Sequence, residues 1–78
     1  MTRRQREQVV ELLRCAADMV HETRMPIYRA RYLLDVDAAF EDQVYLAIAP
    51  LGRVEMEDEP YRAQLLEAAL RVEEGSWP

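Results

Sequence analysis

The sequence predicts an all-α fold, a single small domain over residues 1–78 built from about four helices in an orthogonal array or bundle. Apolar residues recur at three- and four-residue spacings over two long stretches. Prolines stand where helices would begin, at Pro26 and Pro60. The two glycines, Gly52 and Gly75, stand where helices would stop.

The first helix is expected from the N-terminal residues to about Arg24. Thr2 followed three residues later by Gln5 fits a capping box, in which each residue satisfies a backbone N–H of the other. At 100° per residue, Val9, Leu13, Ala16 and Val20 fall in one stripe, widened by Val10, Leu12, Ala17 and Met19. The apolar arc covers about half the helix, broader than a coiled-coil seam and typical of a core-facing helix. Glu7, Glu11, Arg14, Asp18 and Glu22 line the opposite side. Their spacing pairs Arg14 with Glu11 or Asp18, and Arg3 with Glu7, each pair contributing about 0.2–0.5 kcal/mol.

Pro26 disfavours the α conformation for Met25 yet suits the first turn of a new helix. A break at residues 23–25 and a short helix from Pro26 to Leu34 follow. Asp35 or Asp37 would cap a third helix running to about Ala49, with Val36, Phe40, Val44 and Ala47 as its stripe. Residues 44–49 are apolar almost all round, and a buried strand would show the same run. Continuity with Ala38, Ala39 and Phe40 favours helix. Pro50, Leu51 and Gly52 would end it, leaving residues 53–59 as an acidic, solvated connector.

Asp58 is the expected N-cap of a last helix, with Pro60 in its first turn and Gly75 as its stop. Tyr61, Leu65, Ala68, Ala69 and Val72 make one face. Ala63, Leu66 and Leu70 point to another, so this helix has two apolar faces to bury, one in its own fold and one against a second chain. Trp77 is expected to fold over a helix end.

The formal net charge is −5, which opposes the electrostatic attraction that nucleic acids and anionic membranes rely on. All ten basic residues are Arg, and the chain holds no Lys and no Asn, a composition that fits a GC-rich coding genome. No lysine amine is therefore present for Schiff-base or P-loop chemistry. Cys15 is the one cysteine, so an internal disulfide is excluded. The longest apolar run, residues 44–51, falls far short of the ~20 residues that span a bilayer. A polar, charged segment follows Arg3, Arg4 and Arg6 where a secretory leader would be apolar. A cytoplasmic protein without membrane partners is expected.

Catalytic and metal chemistry find little purchase. His21-Glu22-Thr23-Arg24-Met25 resembles the opening of a zinc-protease helix, but Met25 occupies the place of the second histidine and His21 is the only one. No two-histidine metal site can form within one copy. Cys15 reads as a partly buried small hydrophobe. Glu55, Glu57, Asp58 and Glu59 lack calcium-loop spacing. No phosphate-cradling glycine loop and no Ser-His-Asp set can be assembled. The expectation is no enzyme, no cofactor and no metal.

Interaction remains. Arg24, Tyr28, Arg29, Arg31 and Tyr32 interleave the two residue types favoured at protein–protein hot spots. The candidate interface is Tyr28, Arg31, Tyr32, Leu66 and Leu70, serving a homodimer or a host protein. The alternative is a small DNA-binding regulator whose phosphate contacts are Arg24, Arg29 and Arg31. An acidic mimic of DNA would need a double row of carboxylates, which the helical wheels give only for the first helix.

Residues 2–18, from Thr2-Arg3-Arg4-Gln5 to Ala16-Ala17-Asp18, resemble the start of small uncharacterised proteins of actinobacteriophages, mycobacteriophages in particular. The close, Tyr61-Arg62-Ala63-Gln64-Leu65-Leu66-Glu67-Ala68-Ala69 through Gly75-Ser76-Trp77-Pro78, is similar to their ends. These segments cover somewhat under half the chain. The resemblance agrees with the Lys-free, Asn-free composition. It implies an accessory phage protein working in the bacterial host cytoplasm by binding a host protein, and it carries no catalytic residues over.

Overall fold

A computed structural model describes residues 2–34, 49–51 and 55–76. Its helices are α1 (Arg3–Asp18), α2 (Pro26–Leu34) and α3 (Asp58–Glu74). Residues 49–51 are also helical, and no strand occurs among the described residues, so the small all-α fold is as the sequence predicts. The stripe Val36, Phe40, Val44 and Ala47, the helix-or-strand question over residues 44–48, and Trp77 lie outside the described residues. Ala49 is helical, and helical conformation continues through Pro50 and Leu51, past the expected boundary. Leu51 is buried in the core.

The capping box of α1 is present. The Gln5 N–H donates to Thr2 Oγ1 at 3.1 Å, and the Thr2 N–H donates to Gln5 Oε1 at 2.8 Å. Such a cap stabilises a helix by about 1 kcal/mol. It offsets a first turn that carries arginines and no acidic residue at the positive end of the helix dipole.

The predicted stripe of α1 is buried, Val20 included, yet the helix ends at Asp18 and not near Arg24. The Met19 N–H bonds to Ala16 O at 3.0 Å, a three-residue step that tightens the last turn. The N–H groups of Glu22 and Thr23 then both reach Met19 O, at 2.9 and 3.1 Å. Thr23 Oγ1 accepts from the Met25 N–H at 3.4 Å, a local bond that competes with helix. With Met25 already barred from the α region by Pro26, the chain turns early and folds Val20 back onto the core.

Arg3 pairs with Glu7 at 3.2 Å as expected, but Arg14 pairs with neither Glu11 nor Asp18. It reaches across to Glu73 on α3 at 3.0 Å, because the packed neighbour offers a carboxylate within reach of its long side chain.

α2 spans Pro26–Leu34 as predicted, burying Pro26, Ile27 and Ala30. The N-cap of α3 is Glu57, one residue before the expected Asp58, and makes no side-chain capping bond. Asp58 and Glu59 instead occupy the first turn, where their charge complements the dipole. Asp58 is turned toward His21.

Gly75 ends α3 in the left-handed region, φ 80° and ψ 14°. The Ser76 N–H donates to Arg71 O at 2.8 Å and the Gly75 N–H to Val72 O at 3.1 Å, the two bonds of a Schellman motif. A methyl group at Gly75 would meet nothing nearer than Arg6 Nη1, at 3.8 Å. Gly75→Ala is therefore expected to cost only the left-handed penalty, about 1–2 kcal/mol, read as a lower urea midpoint with an unchanged slope.

α1 packs against both α3 and α2. His21 meets Asp58 at one end of the α1–α3 pair and Arg6 lies beside Gly75 at the other, so the two helices run antiparallel. Val9, Leu12, Leu13, Leu65 and Val72 form the fully buried centre. Ala16, Ala30, Ala68 and Ala69 are buried with them, small side chains that let the helices approach closely.

Candidate interaction surface

α2 buries one side against α1 and turns Arg29, Tyr32 and Leu33 outward. Tyr32 and Leu33 stand three and four positions after Arg29, which puts them on its face of the helix. Tyr32 is 81% exposed. Arg24 is exposed just before the helix. Tyr28 and Arg31 are half-buried, and the Arg31 guanidinium lies 5.7 Å from the centre of the Tyr28 ring, a cation–π contact that holds both side chains.

On α3, Leu66 and Leu70 stand one turn apart. Leu66 is half-buried and packs against the core, while Leu70 is 54% exposed. Among the described residues the extensive helix contacts run from α1 to α3 and from α1 to α2, so the two leucines and the Arg/Tyr group sit on helices joined through α1.

An open cleft of about 940 Å³ lies between residues 20–26 and the segment entering α3. Val20, Pro26 and Tyr61 are its buried wall, and Met25 and Met56 are half-exposed along it. Glu22, Glu55, Glu57 and Asp58 rim it against one arginine, Arg24. His21 bridges the cleft's two sides, with Nδ1 2.9 Å from Asp58 Oδ2 and Nε2 3.4 Å from Glu59 Oε1. All three side chains are more than half exposed, so the clasp contributes little to stability. It positions the turn after α1 against the start of α3.

Neither the clasp nor the cleft is signalled in one dimension. His21 and Asp58 are 37 residues apart, and nothing in the local pattern of either marks a partner. The pair of methionines flanking the cleft is similarly split between Met25 and Met56.

Cys15 is half-buried on α1, and its thiol is pushed above the ordinary range by burial, reinforced by the charges of Asp18 and Glu11. The thiolate needed for nucleophilic chemistry is thereby disfavoured. Tyr61 is raised as well, chiefly by burial and then by Tyr28 nearby. Both groups hold their protons more tightly folded than unfolded. Their contribution is complete below the unfolded pKa and is lost as pH rises through the folded one. The urea midpoint should accordingly fall as pH rises past the ordinary cysteine pKa of ~8.5 and tyrosine pKa of ~10. Tyr61→Phe should make that fall shallower; an unchanged slope would remove Tyr61 from the account.

Among the described residues no group of three or more His, Cys, Asp or Glu side chains is arranged to hold a metal ion. No helix among them is long and apolar enough to cross a membrane. Comparison with protein-family models, with curated proteins and with solved structures finds no match to this chain.

Proposed function

We propose that this chain is a non-enzymatic interaction protein that self-associates or binds a host protein, with Tyr28, Arg31, Tyr32, Leu66 and Leu70 as contact residues. The observation that carries this reading is the exposure of large apolar side chains on helices whose other faces are committed to the core. Tyr32, Leu33 and Leu70 are each more than half exposed. Burying such a side chain contributes about 1.5–3 kcal/mol, and a partner surface would recover it. The Arg31–Tyr28 pair beside them supplies the side chains on which hot spots concentrate. An accessory role in an actinobacteriophage, exercised in the host cytoplasm, is supported by the resemblance of both chain ends and by the Lys-free composition.

A second reading, a DNA-binding regulator, draws on one observation. Residues 24–34 carry three arginines and no acidic residue, a basic stretch in an acidic protein. Arg24 and Arg29 are exposed on it.

A pull-down of tagged protein from actinobacterial lysate, with and without nuclease, separates these readings. A host protein retained after nuclease and lost with Leu70→Asp supports the interaction reading. Capture that vanishes with nuclease, weakens steeply with salt and is damaged by Arg29→Ala transfers the assignment to DNA. Capture unaffected by Leu70→Asp and by Tyr32→Ser would overturn the assigned contact residues.

A further inference from the structure

The acid-rimmed cleft and the outward face of α2 are chemically complementary. Four carboxylates against one arginine give the cleft a negative rim, and Met25 and Met56 give it adaptable apolar sides. Thioether side chains repack around an apolar guest, and carboxylates pair strongly with guanidinium. The occupant such a cleft fits is a helical segment that carries arginine and exposed apolar residues together. Arg29, Tyr32 and Leu33 are that combination on one helix face, with no acidic residue among residues 24–34.

Within one chain the two cannot meet. Pro26, in the first turn of α2, is itself part of the cleft wall, whereas Arg29, Tyr32 and Leu33 further along do not line it. A rigid helix cannot fold back into a cleft that its own first turn helps to build. A second copy has no such restriction. Met25 belongs to the cleft and lies one turn before Arg29, so the cleft and the α2 face adjoin on a single surface. That adjacency is what a two-fold contact requires, since each copy must offer both halves of the contact on the same patch.

We propose that the cleft between residues 20–26 and residues 55–61 receives the Arg29, Tyr32 and Leu33 face of α2 from a second copy of this chain, two such contacts closing a two-fold dimer. The inference rests on the self-association reading above and gives it a surface different from Leu66 and Leu70. The contact covers Met25, Tyr32, Leu33 and Met56, four of the large hydrophobic side chains that are exposed in the single chain. A chain of this size gains from such association, because its own core is small.

Sedimentation equilibrium on purified full-length protein at low salt tests it, with Arg29→Glu and Glu55→Arg as variants. Both residues are exposed and outside the core, and circular dichroism checks that each variant folds. Each variant alone places like charges at both contacts and should raise the dimer dissociation constant about tenfold or more. Mixed in equal amounts, the two should recover a dimer. In that heterodimer one contact keeps the native charges and the other has them exchanged. A wild-type chain that stays monomeric to high micromolar concentration overturns the proposal and the self-association reading together, leaving host binding to the pull-down. A dimer indifferent to both charge variants but dissociated by Leu70→Asp overturns the proposal and leaves self-association standing. A mixture that remains monomeric overturns the pairing of Arg29 with the cleft.

Discussion

Leu65→Ala is expected to lower the stability of this protein by about 2–5 kcal/mol and its Tm by some ~10–30 °C. Leu65 is completely buried in the middle of α3, on the face that packs against α1. Its truncation removes the transfer free energy of the lost methyl and methylene groups and leaves a cavity among Val9, Leu12, Leu13 and Val72 that rigid helices cannot fully close. At ~0.05–0.15 kcal/mol per residue, a domain of this length has about 4–12 kcal/mol in total, so one such substitution removes a large share. Leu70→Ala, five positions on, is the control. Leu70 is 54% exposed, and its truncation should stay within about 0.5 kcal/mol. Thermal unfolding followed by circular dichroism distinguishes them. Equal losses at both positions would mean that the buried face of α3 is assigned wrongly.

The second large effect is local. Ile27→Ala should release α2 from the fold before the rest of the molecule opens. A nine-residue helix is not stable alone in water, so α2 depends on its contacts with α1. Pro26, Ile27 and Ala30 are the residues it buries, and Ile27 is the largest aliphatic side chain among them. Losing most of it costs about 2–5 kcal/mol, concentrated in one element. Amide hydrogen exchange should show protection falling across residues 29–34 while the centres of α1 and α3 remain protected. A uniform fall across all three helices would indicate that α2 unfolds only with the whole molecule.

The starts of α1 and α2 and the stop of α3 were readable because each is set by short-range chemistry. Thr2 and Gln5 lie three residues apart, Pro26 fixes its own φ and restricts Met25, and Gly75 adopts a conformation other residues avoid. The buried faces of α1 and α3 were readable for a similar reason, since the 3.6-residue period persists over four turns. The end of α1 was not. Val20 continues the periodic stripe even though the backbone has left the helix, so the pattern overran the true boundary. Arg14 illustrates a second limit: two acidic neighbours at favourable spacing competed with a carboxylate on a different helix, and only the packed arrangement decides between them. The cleft is illegible for the same reason, because its two walls come from distant parts of the chain. Among the candidate contact residues, the helical wheel singled out Leu66 and Leu70 alike, but it could not foresee that Leu66 would pack half-buried against the core while Leu70 stays more than half exposed.

The antiparallel pairing of α1 with α3 also bears on synthesis. The largest helix contact among the described residues joins the earliest described helix to the latest one, with their centres ~55 residues apart in sequence. A nascent chain therefore emerges from the ribosome with the α3-facing side of the apolar stripe of α1 unmatched until α3 has been translated. At ~5–20 residues per second that interval lasts several seconds, during which Val9, Leu13 and Ala16 are open to chaperones and proteases. Fragments that stop short of α3 would leave that side of α1 permanently uncovered, suited to rapid clearance and not to accumulation.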